Sequence, residues 1–162
     1  MSQLYRHGRN TQFVNPVNSI SAWFRKAVPK VTPKYQHVQA GVHFEEVGEM
    51  LDALNPIDPQ TAFLVDKANE AVKALAKHLK TITPMHELYR ASNVDMLDSL
   101  CDQIVTATGV AYSFDYNIAS ALWEVDESNW SKFVDGKPIF DSNGKISKGP
   151  DYFKPDLEPY TI

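Results

Sequence analysis

Apolar residues return every three or four positions along most of the chain, the spacing of one helix face. Val17, Ile20, Phe24 and Val28 make the first such stripe, opened by Asn15-Pro16, where Asn caps and Pro takes the first turn. Pro29 and Pro33 are expected to end it. A second helix is expected from about Gln36 to Leu54, with Val47, Met50, Leu51 and Leu54 on its apolar side. Asp58-Pro59 starts a third, marked by Val65, Ala68, Val72, Leu75, Ala76 and Leu79, whose lysines Lys67, Lys73, Lys77 and Lys80 read as a solvated face. A fourth spans about Asn93 to Ser113, with Leu97, Leu100, Ile104 and Ala111 as its packing stripe. A fifth spans about Tyr116 to Phe133, with Ile118, Leu122 and Val125 inward. The pattern then breaks. Asp135-Gly136 and Asn143-Gly144 are turn dipeptides, and Pro138–Phe140 can pair with Lys145–Ser147 across the second of them.

The expected fold is therefore all-α, a bundle of about five helices around a four-helix core, with a C-terminal irregular or β-hairpin tail. Residues 1–14 read as a flexible arm, 15–134 as the helical domain, and 135–162 as a tail packed on the domain or on a neighbouring subunit. A chain of 162 residues is the natural size of one domain with a real core.

Charge changes the picture on the second helix. At roughly 100° per residue, Glu45, Glu46, Glu49 and Asp52 share one side. Like charges three and four positions apart repel by a few tenths of a kcal/mol per pair, and a divalent cation would reverse the sign. A solvated acidic face is the plain alternative. On the fourth helix Asp98 and Asp102 stand one turn apart and can converge on one ion. Oxygen-only ligands select Mg²⁺, with Mn²⁺ as a substitute, over zinc. Such ions clamp phosphate oxygens and activate water, and a remaining carboxylate can take its proton. Asn129 and Lys132, one turn apart on the fifth helix, are either a phosphate clamp or ordinary surface polar residues. Trp23 reads as core or as a base-stacking surface. Gly109 weakens the fourth helix, which is tolerable if a backbone or ligand comes close there.

Composition removes several classes. The net charge of −4 and the lack of a Lys/Arg run argue against nucleic-acid binding. The single cysteine, Cys101, fits a reducing compartment. No charged-then-apolar leader and no apolar run of about 18 residues is present, so a cytoplasmic, non-membrane protein is expected. There is no G-x-x-x-x-G-K-[ST] loop, no G-x-S-x-G elbow, no H-E-x-x-H and no EF-hand loop.

Three motifs in order resemble the MazG-like all-α nucleoside triphosphate pyrophosphohydrolases. The first is E-E-x-x-E, as Glu45-Glu46-Val47-Gly48-Glu49; the second centres on Asp102, with Gly109 a helical stretch later; the third is E-V-x-x-x-N-x-x-K, as Glu124-Val125 through Asn129 and Lys132. The tail, with Asp135-Gly136-Lys137-Pro138, Lys148-Gly149-Pro150 and Pro155-Asp156-Leu157, is similar to that of bacteriophage members. One departure stands out: the family glutamate of the second motif falls on Ser99, and Asp98 is the carboxylate that can replace it. The resemblance implies Mg²⁺-dependent hydrolysis of a (deoxy)nucleoside triphosphate to the monophosphate and pyrophosphate, controlling the dNTP pool, with dGTP or dATP as candidates in a phage with modified bases. Glu46, Glu49, Asp98 and Asp102 would hold the principal ion, and Glu45 a second ion or the water. It further implies catalytic roles for Glu45, Glu46 and Lys132, phosphate or sugar contacts from Asn129 and Lys132, and base contacts from Trp23 or Phe24. A homodimer or homotetramer in the host cytoplasm is the implied form. A non-catalytic helical nucleotide-binding or sensor module is the alternative, suggested by Ser99.

Overall fold

The computed structural model describes residues 15–82, 88, 90–140 and 146–161. The expected N-terminal arm and the Asn143-Gly144 turn lie outside the described residues. Those residues form five α-helices and no named strand: α1 (Pro16–Ala27), α2 (Pro33–Asp52), α3 (Pro59–Thr81), α4 (Asn93–Ser113) and α5 (Ile118–Trp130), with a 3-10 turn at Glu158–Tyr160. Each α-helix begins at a side-chain cap. Asn15, Thr32, Asp58, Ser92 and Asn117 each accept from the backbone N–H three residues on. Pro33 does not end α1 as expected; it opens α2, because Thr32 caps and Pro at the first helical position loses no hydrogen bond.

The chain divides into two compact units. One comprises residues 30–91, and the other comprises 1–29 with 92–162. The described residues of the tail lie in the same unit as α1, α4 and α5.

The first unit is the antiparallel pair α2–α3. Two glycines of α2 let the helices approach. A Cβ on Gly41 would lie 2.8 Å from the Ala76 carbonyl oxygen and 2.6 Å from Lys80 Cγ; one on Gly48 would lie 3.2 Å from Lys73 Cγ. Ion pairs flank the seam: Lys80 Nζ donates to Glu45 Oε1 at 2.6 Å, and Lys73 Nζ to Asp52 Oδ2 at 2.6 Å. Lys73 and Lys80 are therefore interhelical partners rather than part of a solvated face.

The second unit is organised by α5. Asp126, Trp130 and Phe133, at i, i+4 and i+7, meet α1, which runs in the same direction. Trp23, Ala27 and Phe133 form the buried apolar cluster, with Phe24, Val28, Trp130 and Ile146 packed on it. The Trp23 and Phe133 rings stack, 5.6 Å apart at 14°. Glu124, Ser128 and Ser131 hold the tail instead. Glu124 Oε1 accepts from Asp156 N (3.3 Å), Ser128 Oγ donates to Phe153 O (2.8 Å), and Ser131 Oγ accepts from Phe153 N (3.2 Å). The expected hairpin is present as one antiparallel bridge, Phe140 to Ile146, with Ser147 N donating to Ile139 O.

Helix α4 departs from expectation. Of its predicted packing stripe only Ala111 is buried, whereas Leu97 is 64%, Leu100 39% and Ile104 57% exposed. The periodicity correctly locates a helix, but an apolar stripe specifies a face to be covered and not what covers it. On α5, likewise, the most buried residues are Glu124, Asp126 and Ser128, not the predicted Ile118, Leu122 and Val125.

Two glycine substitutions should separate close packing from open helix. Gly41→Ala should lose about 1–3 kcal/mol to overpacking against the α3 backbone, read from the urea midpoint. Gly109, where an added methyl would meet nothing within 4 Å, should instead gain about 0.5–1 kcal/mol on change to Ala.

Candidate functional site

Helix α2 sets the acidic residues at the outer margin of the α2–α3 pair. Glu45 is half-buried and bound to Lys80, while Glu46 and Glu49 are exposed. Asp52, on the same side, accepts from Lys73 Nζ and from Asn69 Nδ2 (2.6 Å), which together hold its carboxyl below the ordinary range. The stripe predicted from the sequence is thus real, and two of its four carboxylates are met by lysines of α3. Nothing in the apolar periodicity of α3 indicates this. The signal that could have was the shared spacing: Glu45 and Asp52 are seven apart, and so are Lys73 and Lys80.

In the other unit, Asp98 and Asp102 are exposed on α4, one helical turn apart. Among the described residues, no three His, Cys, Asp or Glu side chains are gathered into a metal-holding group. Each set by itself, Glu45, Glu46 and Glu49 on α2 or Asp98 and Asp102 on α4, offers carboxylate oxygens, the donor type that a hard cation takes.

Asn129 and Lys132 are brought together. Lys132 Nζ donates to Asn129 Oδ1 at 2.7 Å, both half-buried at the C-terminal end of α5. The backbone there is fixed from two sides. Trp23 Nε1 donates to Asn129 O at 2.9 Å, and the tail passes so close that a Cβ on Gly149 would lie 3.2 Å from Lys132 O and 2.6 Å from Val134 Cγ2. Trp23 itself is in the core, stacked on Phe133 and edge-on to Phe24. Phe24 is the less buried of the two.

Sequence reasoning missed the polar centre of the α1–α5 contact. Asp126 is 0% exposed. Its Oδ2 accepts from Ser19 Oγ at 2.6 Å, and Ser19 Oγ accepts in turn from Trp130 Nε1 at 3.0 Å. Its Oδ1 is buried with no hydrogen-bond partner among the described residues. Burial pushes the carboxyl above its ordinary 3.8, against the opposing pull of the Ser19 hydroxyl and the nearby Trp130 N–H.

No protein-family model matches the chain, and neither a curated protein nor a solved structure matches it.

The sign of the Asp126 effect follows from its raised value. The folded state favours the neutral acid, so its contribution is complete below 3.8 and is lost as pH rises through the folded-state value. Asp126→Asn cannot ionise and keeps an acceptor for Ser19. Between pH 3 and neutrality the urea midpoint of this variant should move up relative to the native chain; a constant offset between the two would show that Asp126 titrates alike in the folded and unfolded states.

Proposed function

We propose that this chain is a Mg²⁺-dependent nucleoside triphosphate pyrophosphohydrolase of the MazG-like kind, releasing the monophosphate and pyrophosphate. The observation that carries the reading is the Asn129–Lys132 pair, hydrogen-bonded at 2.7 Å, on a chain that also bears acidic faces on α2 and α4. A neutral amide beside a half-buried cation suits phosphate oxygens, because the lysine supplies charge and the amide supplies a directed N–H.

Glu46 and Glu49 on α2, and Asp98 and Asp102 on α4, are the carboxylates that the family resemblance assigns to the principal cation, and Mn²⁺ could replace Mg²⁺. When bound, such an ion offsets phosphate charge and acidifies water. Glu45 would orient the water and take its proton, or serve a second ion; Lys80, which holds Glu45 here, would position it for that role. Lys132 and Asn129 would contact the phosphates. Phe24 is better placed than Trp23 to face a base, since it is less buried. The substrate class is a (deoxy)nucleoside triphosphate of the dNTP pool, with dGTP or dATP as the candidates of most interest.

We read the working form as a homodimer or homotetramer in the cytoplasm. The exposed Leu97 and Ile104 of α4 favour an assembly, because exposed apolar side chains on one helix gain from being covered. No helix among the described residues is long and apolar enough to cross a membrane. A catalytically silent nucleotide-binding module is the second reading; Ser99 at the family glutamate position favours it.

Pyrophosphate release from a panel of dNTPs and NTPs with Mg²⁺ tests the first reading. Release should occur with one or a few nucleotides, stop on chelation, and fall by about 100-fold or more in Glu49→Gln with the helical spectrum unchanged. Tight nucleotide binding without release would favour the silent module. For the assembly, light scattering should give a mass at least twice 18.3 kDa, and Leu97→Asp with Ile104→Asp should reduce it; a monomeric native chain would refute that part.

A further inference from the structure

Lysines gather at one short segment, Trp130 to Lys137, at the far end of the α1–α5 contact: Lys132 and Lys137 lie within it, together with the carboxylate Asp135, and Lys26 and Lys148 come to it from other parts of the chain. Lys26 of α1 places its Nζ 5.7 Å from the Trp130 ring centroid and 5.6 Å from that of Phe133. The same Nζ lies 3.4 Å from where a Cβ on Gly136 would be; Gly136 has φ +70°, so glycine both permits the turn and leaves room for the ammonium. Lys132 is within the segment. Lys148 precedes Gly149, which lies against Val134 and the Lys132 carbonyl, and its Nζ sits 4.6 Å from the Tyr152 ring.

The way these cations are held matters. A carboxylate partner would fix a lysine and cancel its charge. A ring face fixes it through the ring quadrupole and leaves the charge whole. Among the described residues neither Lys26 nor Lys148 forms an ion pair. Lysines outnumber the one carboxylate, Asp135, at this segment, so an anion meets net positive charge there.

We propose that Lys26 is a further phosphate-contacting residue, joining Lys132 to make this end of the α1–α5 contact a subsite for a polyphosphate anion. The proposal rests on the phosphate role given to Lys132 above. The subsite recognises adjoining phosphoryl groups, whether on a nucleotide or as free pyrophosphate. Lys26 grips by charge, and the aromatic rings beneath it hold its stem in place.

The test is calorimetric titration of the full chain with inorganic pyrophosphate, without metal and at low salt. Binding to the native chain should weaken about tenfold in Lys26→Ala, be retained in Lys26→Arg, and be unchanged in Lys67→Ala on α3. Melting temperatures taken alongside identify any variant that fails to fold, and Lys26→Gln then replaces the alanine. Unchanged binding in folded Lys26→Ala or Lys26→Gln overturns the proposal, as does the absence of pyrophosphate binding to the native chain. If Lys26 governs pyrophosphate binding while no nucleotide is turned over, the subsite stands and the hydrolase reading alone fails.

Discussion

The contact of α1 with α5 is built around a carboxylic acid buried without a counter-charge. Asp126 has a hydroxyl on one oxygen and nothing among the described residues on the other. An ionised carboxylate in that position is expensive, and the usual remedy, a basic partner, is absent from its hydrogen bonds. What the arrangement gains is direction. Trp130 donates to Ser19, and Ser19 donates to Asp126, so a single register of the two helices satisfies the chain of donors. Slide α1 by one turn and Ser19 leaves both partners.

Everything of chemical interest in that unit inherits this register. With Ser19 opposite Asp126, Trp23 arrives where its indole N–H reaches the Asn129 carbonyl and its ring stacks on Phe133. One turn further, Lys26 arrives over Trp130 and Phe133. The opposite side of α5 is fixed independently by the tail, through Glu124, Ser128 and Ser131. The Asn129–Lys132 pair is thus set between two restraints that act on backbone and neighbouring side chains. Restraints of that kind fix a side chain through its backbone and its neighbours.

The helices were legible because caps and prolines are local. Asn15-Pro16 and Asp58-Pro59 act within one turn and need no knowledge of the rest of the chain. Asn129 and Lys132 were legible for the same reason, as an i, i+3 pair, although α5 ends at Trp130 and Lys132 stands in the turn that follows. The partners of a helix face were not. The α4 stripe has the spacing of a buried face, and it is exposed; Asp126 would be taken for a surface residue by any apolar pattern, and it is the most buried carboxylate among the described residues. Burial is decided by which face meets which neighbour, information that is spread across residues 19 and 126 and absent from either neighbourhood alone. Lys26 was invisible on the same account, because the rings beneath it, Trp130 and Phe133, lie more than a hundred residues along the chain.

The acidic stripe of α2 illustrates how a sequence signal can be right and incomplete. Repulsion among Glu45, Glu46, Glu49 and Asp52 is the premise for a bound cation, yet α3 already supplies two cations, Lys80 at Glu45 and Lys73 at Asp52. Those pairs are part-exposed, and solvent screens ion pairs in such settings to a small net worth. They are enough to relieve the self-repulsion of the stripe, which is of the same size per pair. They are too weak to commit Glu45 permanently to Lys80. An acidic face with its own weak counter-ions is therefore eased of part of its self-repulsion, whereas a bare run of carboxylates would carry all of it.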